Sequence, residues 1–115
     1  KNITAYSDGR LFEAKDTFAL PVSAAVVDDL SIGKKGDTTG CGDNFVGGVL
    51  VSLTRQLEDQ MERLSLVEAC SWGIVSGGAA CFYMGGTYYE EQRGAKLSMI
   101  KPYLDKYHKQ IQGLV

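Results

Sequence analysis

A glycine-rich segment that leads into a helical pattern, residues 36–48, constrains this chain more than any other part of it. The segment reads GDTTGCGDNFVGG, and apolar residues recur at helical spacing after it. Glycine adopts positive φ and allows close approach to a ligand, so Gly40 and Gly42 can direct consecutive backbone N–H groups at one point. The unpaired amides of the first helical turn and the positive end of the helix dipole add to this attraction. The segment therefore predicts an anion site at a helix N-terminus.

Asp43 is unusual in this segment because it places a carboxylate where an anion is expected to bind. One interpretation is structural, since an acidic side chain caps and stabilises the first turn of a helix. The other is chemical, since a carboxylate beside a bound anion can accept a proton from a group that approaches that anion. The sequence leaves both interpretations open at this point.

The composition narrows the classes of partner. The chain has 115 residues, the length of one domain or of part of a larger one. Its net charge of −2 argues against nucleic acid, because phosphate neutralisation needs a basic face. The cysteines Cys41, Cys70 and Cys81 include no C-x-x-C pair and have no nearby histidine, which argues against a disulfide framework or a zinc site. These features favour a cytoplasmic protein.

Residues 69–89 carry no charge, and a membrane span of that length has to be considered. Five glycines and two serines dilute the segment, and no basic cluster marks one end of it. A buried helix followed by a glycine loop explains the segment better, so we expect no membrane association.

The N-terminal residues have the pattern of an antiparallel β meander. The runs at 3–6 and 11–14 flank an Asp-Gly pair, which is a strong hairpin signal, and a third β-prone run spans 17–20. A further apolar run at 24–27 precedes the glycine-rich segment.

Three helices are expected in the rest of the chain, and the first of them begins within the glycine-rich segment. The first contains Gly47 and Gly48, each of which costs about 1 kcal/mol relative to alanine, so close packing on a strand or a ligand should compensate. The second begins after Ser65, which forms a capping box with Glu68, and it has a face of small residues that lets another backbone approach closely. The third starts near Pro102, which suits a first turn. The single histidine of that helix has one acidic neighbour at helical spacing, and we expect no catalytic role for it.

The segment at residues 37–43, D-T-T-G-C-G-D, resembles the second signature of the ribokinase-like (PfkB) carbohydrate kinases, D-T-x-G-A/C-G-D, and the match continues through Phe45 and Gly48. The resemblance implies an α/β fold in which the chain is the C-terminal part of a ribokinase-like αβα sandwich, with an N-terminal antiparallel β meander followed by three helices. Residues 1–115 would be the C-terminal nucleotide-binding and catalytic part of a larger kinase domain, with the N-terminal acceptor-binding part absent.

The same resemblance implies roles for individual residues. Asp43 matches the catalytic base. The anion hole for the transferred phosphate is formed by Gly40, Cys41 and Gly42. Asp37 and Thr39 match positions that help to bind a monovalent cation in potassium-activated members, and the loop at residues 85–86 would complete that site. The implied cofactors are ATP and Mg²⁺, with K⁺ left open. The chain departs from the common pattern in three respects. Asn44 replaces Ala, Ser or Thr, Cys41 replaces the commoner Ala, and the loop at residues 28–36 is longer than usual between the strand and the signature.

The function that the resemblance implies is that of a carbohydrate kinase, which transfers phosphate from ATP to an alcohol hydroxyl of a sugar or sugar-like substrate. A nucleoside or pyrimidine-alcohol kinase of the same fold is one alternative, and a non-catalytic nucleotide- or phosphate-binding module is another. The expected partners are ATP and a small sugar-like acceptor, with no nucleic acid and no membrane. A homodimer is left open, and the 115 residues alone can be inactive.

Overall fold

The computed structural model describes residues 3–7, 15–33, 36, 40–60, 63–82 and 94–112. These residues form two strands and four α-helices, and a single 3₁₀ turn extends the third helix. In chain order the elements are β1 (Ile3–Ser7), β2 (Lys15–Leu20), α1 (Ala24–Ser31), α2 (Cys41–Glu58), α3 (Leu66–Ala79) with its 3₁₀ turn (Ala80–Phe82), and α4 (Ala95–Ile111).

The expected fold class, the C-terminal part of a ribokinase-like αβα sandwich, is wrong for this chain. The helices contain 8, 18, 14 and 17 residues, whereas the strands contain 5 and 6 and pair only with each other. The described residues contain no layered sheet, and α3 takes the central position that a sheet would have had. It is buried along almost its whole length and packs against both α2 and α4. The fold is therefore a small helical globule with one antiparallel strand pair.

The N-terminal strands also differ from the expected meander. β1 pairs directly with β2, with Ile3 opposite Leu20 and Ala5 opposite Phe18, and the register shifts between Ala5 and Ser7. The predicted middle strand at residues 11–14 lies outside the described part of the chain. A pair of strands therefore replaces the three-stranded arrangement within the described residues.

A fourth helix, α1, accounts for the apolar run at 24–27. The buried Ser23 caps it, because the Ser23 hydroxyl accepts a hydrogen bond from the amide of Val26 at 3.3 Å. Gln110 of α4 supports the same helix start: its amide oxygen accepts from the Ala24 N–H at 2.8 Å, and its amide nitrogen donates to the Val22 carbonyl at 2.9 Å. This helix of eight residues is too short to show a clear helical period, so the sequence pattern predicts only the three longer helices.

Close contact between α2 and α3 forms the largest helix interface of the structure. A Cβ atom added to Gly48 would lie 2.6 Å from the Trp72 carbonyl oxygen, and one added to Gly77 would lie 2.8 Å from the Cys41 carbonyl oxygen. These distances confirm that the small face of α3 receives another backbone. They also explain Gly48, whose cost in helix propensity is offset by this packing.

The start of α3 confirms half of the predicted capping box. The Ser65 hydroxyl accepts a hydrogen bond from the Glu68 amide at 3.2 Å, as predicted. The backbone N–H of Ser65, however, donates to the Gln56 side-chain oxygen at 2.6 Å, and Gln56 donates back to the Ser65 carbonyl at 3.1 Å. Gln56 of α2 thus takes the place expected for Glu68, and it ties the end of one helix to the beginning of the next.

The predicted start of α4 is wrong. The helix begins at Ala95, directly after Gly94 at φ 84°, so Pro102 lies inside it. Pro102 is exposed, and water can therefore satisfy the carbonyl that loses its partner. The predicted apolar face of the helix is confirmed. Its buried members are Ile100, Tyr103, Leu104, Tyr107 and Ile111.

The charge-free segment at 69–89 falls partly in α3, whose 14 residues are fewer than a bilayer crossing needs. Among the described residues, no helix combines the length and the apolarity that such a crossing requires. Residues 83–89 of the segment, where a glycine loop is predicted, lie outside the described residues.

Alanine substitutions at the two adjacent glycines of α2 should have opposite effects on stability. Gly48→Ala places a methyl group against the Trp72 backbone and should lower the free energy of unfolding by about 1–3 kcal/mol. An added Cβ at Gly47 meets no described atom within 4 Å, so Gly47→Ala should raise it by about 0.5–1 kcal/mol through helix propensity. Urea unfolding of the two variants measures both effects, and equal stabilities would contradict the α2–α3 packing described here.

Candidate functional site

The N-terminus of α2 brings together four residues that the sequence singled out. Gly40 is the N-cap and has φ 79°, a left-handed conformation that glycine adopts without strain. Cys41, Gly42 and Asp43 then form the first turn, and the Asn44 amide donates to the Gly40 carbonyl at 2.9 Å as the first bond of the helix. The amides of the first turn have no acceptor within the helix. An anion can therefore bind at this end of an 18-residue dipole.

The first turn is open to a ligand on its outer side. Gly42 and Asp43 are both exposed, and a Cβ atom added to Gly42 would meet no described atom within 4 Å. Packing inside the described structure therefore does not require glycine at this position, whereas close approach of a ligand to the backbone would. The exposed Asp43 carboxylate is compatible with both of its proposed roles, helix stabilisation and proton acceptance.

Lys96 is a residue of this site that the sequence analysis missed. It lies in the first turn of α4, and its Nζ donates to the Asn44 side-chain oxygen at 2.7 Å. The Asn44 side-chain nitrogen donates in turn to the Gly40 carbonyl at 2.9 Å. Asn44, which departs from the kinase pattern, thus connects a lysine to the turn that caps α2. Lys96 is 52 residues away in sequence, so no local signal could have identified it.

The positive charge of Lys96 reinforces the preference of this turn for an anion. Both the ammonium group and the positive end of the α2 dipole favour negative charge nearby. Asp43 supplies one such charge from within the turn. A phosphate group bound at the amides would supply more, close to the Asn44 side chain that holds the Lys96 ammonium group.

A cavity of about 510 Å³ lies on one side of the first turn, between α1, α2 and α3. Its lining is almost entirely apolar and includes Val26, Leu30, Cys41, Gly42, Phe45, Ile74 and Cys81. We call it the apolar cavity.

A second cavity, of about 290 Å³, lies between α2, α3 and α4. Its lining includes Gly47, Gly48, Val51, Trp72, Lys96 and Leu97. Gly47 is one helical turn after Asp43, so this cavity lies on the same face of α2 as the Asp43 carboxylate. We call it the lysine cavity.

Two cysteines meet beside the first turn. The Sγ atoms of Cys41 and Cys81 are 3.1 Å apart, and the Cys81 carbonyl accepts a hydrogen bond from the Gly36 amide at 2.6 Å. The cysteines are thiols in the structure. The two residues are 40 positions apart, so no local sequence pattern predicts this contact.

His108 lies far from the first turn of α2 and contacts the carboxylate of Glu68. Its Nε2 atom lies 2.9 Å from one carboxylate oxygen of Glu68, and the Trp72 indole donates to the other oxygen at 2.8 Å. The Arg55 guanidinium stands 5.5 Å from the Trp72 ring centroid, which places this cluster near the C-terminal part of α2. Arg55 is about 18 Å along the helix from Asp43, so the histidine does not belong to the anion site.

The predicted cation ligands Asp37 and Thr39, and the loop at 85–86, lie outside the described residues. Within the part of the chain that the structure describes, no group of three or more His, Cys, Asp or Glu side chains is arranged to hold a metal ion.

Comparison with protein-family models found no match for this chain, and neither did comparison with curated proteins or with solved structures. The chemistry of the site has to be derived from its own residues.

Removing the charge of Lys96 should weaken anion binding at the α2 N-terminus. Inorganic phosphate, titrated into ¹⁵N-labelled protein, should shift the amide resonances of residues 41–43. Lys96→Met keeps the aliphatic stem and should raise the apparent Kd by about three- to tenfold, because it removes one nearby positive charge.

Lys101→Met is the matched control, since Lys101 is an exposed lysine of the same helix. Its affinity for phosphate should stay within about twofold of the unsubstituted protein. Equal losses in the two variants would mean that the effect comes from net charge and not from the position of Lys96.

Proposed function

We propose that this protein transfers the γ-phosphate of ATP to an alcohol hydroxyl of a sugar or sugar-like substrate, with Asp43 as the base. One observation carries the proposal: a single helical turn presents the backbone donors of an anion site and an exposed carboxylate side by side. The resemblance of residues 37–48 to a carbohydrate-kinase signature supports the same reaction class. The resemblance supports chemistry only, since the layered fold that it implied is absent from the described residues.

Phosphoryl transfer needs in-line positioning and stabilisation of negative charge more than it needs covalent chemistry. The amides of Cys41, Gly42 and Asp43 would hold oxygens of the transferred phosphate where charge develops. The α2 dipole and the ammonium group of Lys96 act on the same charge. The acceptor oxygen forms a bond to phosphorus while the bond from phosphorus to the ADP oxygen breaks.

Asp43 would take the proton that leaves the acceptor hydroxyl. Its carboxylate is in the same turn as the phosphate donors and is exposed, so a hydroxyl group can reach it directly. In a loose transition state the proton leaves the hydroxyl late, so the main contribution of Asp43 would be to orient that hydroxyl group.

The lysine cavity supports a nucleotide as the phosphate donor. It follows the Asp43 face of α2, and Gly47 leaves open space in which a flat base can lie against the helix. Trp72 offers an aromatic surface in the same lining. Its volume of about 290 Å³ is slightly below the range of small-molecule sites, which begins near about 300 Å³, so the cavity would enclose only part of the nucleotide.

Mg²⁺ fits this site as a companion of the nucleotide. Magnesium bound to nucleotides can be held largely through phosphate oxygens and water, which would leave the Asp43 carboxylate to act as the base. The metal would neutralise charge on the phosphates. A K⁺ ion would be bound by Asp37 and Thr39, as the resemblance implies.

We also assign the protein to the cytosol, where ATP is abundant and thiols such as those of its cysteines stay reduced.

Replacing Asp43 by asparagine should lower kcat for phosphoryl transfer by about 10²- to 10⁴-fold, because the variant keeps the shape of the side chain but cannot accept a proton. The measurement is ADP release by the full-length protein, with ATP and Mg²⁺, across a panel of sugars and nucleosides. The panel also decides between a sugar and a nucleoside as acceptor.

Asp105→Asn is the control, because Asp105 is an exposed aspartate on α4 and the substitution changes net charge equally. Turnover by Asp43→Asn equal to that of the control would refute the role of Asp43 as base. Binding of ATP by calorimetry without turnover on any acceptor would instead favour the non-catalytic nucleotide-binding module, in which Asp43 only stabilises the helix.

A further inference from the structure

We propose that Cys41 and Cys81 are a reversible disulfide-forming pair, which an oxidant of the hydroperoxide class converts to an intramolecular cross-link beside the anion site. The two Sγ atoms are 3.1 Å apart. A disulfide bond is about 2.05 Å long, so the sulfurs have to approach by about 1 Å. Small rotations of the two side chains can supply most of that movement.

Contacts that do not involve sulfur hold both cysteine backbones in place. The Cys41 carbonyl lies against Gly77, where an added Cβ would come within 2.8 Å of it. The Cys81 carbonyl accepts the hydrogen bond from the Gly36 amide at 2.6 Å. The position of Cys41 therefore depends on the packing of α2 on α3, and that of Cys81 on the hydrogen bond from Gly36.

An oxidant can reach this pair more readily than the third cysteine. Cys41 and Cys81 are half-buried and both line the apolar cavity, which is wide enough for a small peroxide. Cys70 is buried in the core between α3 and α4, with 6% of its surface exposed. Burial also raises the pKa of the Cys70 thiol, which lowers its reactive thiolate fraction.

The reaction balances with one hydroperoxide per cross-link. A thiolate of the pair attacks a peroxide oxygen, the O–O bond breaks, and the leaving oxygen takes a proton, so that hydrogen peroxide yields water and a sulfenic acid. The second sulfur then attacks the sulfenic sulfur, the S–O bond breaks, and a second water leaves. Two electrons pass from the thiols to the peroxide. A dithiol reductant reverses the cross-link by thiol–disulfide exchange and becomes a disulfide itself.

The cross-link would connect the first turn of α2 to the 3₁₀ turn after α3. Cys41 contributes one of the amides of the anion site, so oxidation attaches that turn to a second element. This site of modification is independent of whether the protein transfers phosphate.

The experiment treats the reduced full-length protein with one equivalent of hydrogen peroxide and then blocks remaining thiols. A tryptic digest should contain peptide 36–55 joined to peptide 64–93, with the mass of two lost hydrogens and of one blocking group on Cys70, and dithiothreitol should separate them. Peptide 64–93 contains both Cys70 and Cys81. Cys70→Ala should therefore keep the cross-link, whereas the matched variant Cys81→Ala should lose it.

In native protein the link from Cys41 to Cys81 should exceed links to Cys70 by at least about tenfold, because folding holds these two sulfurs together, and urea-unfolded protein should lose this preference. The share of oxidised protein that is cross-linked within one chain should not depend on protein concentration. The proposal fails if native protein yields only sulfinic or sulfonic acids, if the link involves Cys70, if it joins two chains, or if unfolded protein shows the same preference for Cys81. None of these readouts depends on kinase activity, so they leave the proposed function untouched.

Discussion

The close approach of the α2 and α3 backbones is the contact on which the rest of the structure depends. Glycine makes it possible from both sides: Gly48 lies against the Trp72 carbonyl, and Gly77 lies against the Cys41 carbonyl. Any larger side chain at these points would separate the helices, because backbone atoms cannot yield as a flexible side chain can. The second contact involves the first residue of α2, so the same packing that forms the core also positions the anion site.

Polar side chains near the helix ends add hydrogen bonds between the helices. Gln56 connects the end of α2 to the start of α3, and Gln110 of α4 binds the backbone at the start of α1. Lys96 reaches the N-terminus of α2 through Asn44. The bonds of Gln56 and Gln110 satisfy backbone amides at the starts of α3 and α1, which have no acceptor within their helices. The outer side of the first α2 turn, around Asp43, is exposed and open to a ligand.

Local chemistry predicted the parts of the fold that depend on neighbouring residues. The helix start after Gly40, the N-cap at Ser65 and the buried face of α4 all follow from spacing and capping, and the structure confirms them. The meander is wrong because strand patterns do not specify which partners a strand finds. The sandwich is wrong because it was implied by the resemblance of one short segment, and a short segment does not determine how the whole chain packs. The start near Pro102 is wrong for a related reason, since tertiary packing of the apolar face outweighs the cost of one proline inside a helix.

The sequence by itself determined a helix N-terminus with glycine donors and Asp43 in its first turn, because glycine conformations and helix capping are properties of a few adjacent residues. Only the tertiary structure decided what surrounds that turn. Lys96 and Cys81 arrive there from 52 and 40 residues away, and His108 finds Glu68 on another helix. Such pairs depend on how α3 and α4 pack, and that is set by the shapes of whole helix faces rather than by any local signal.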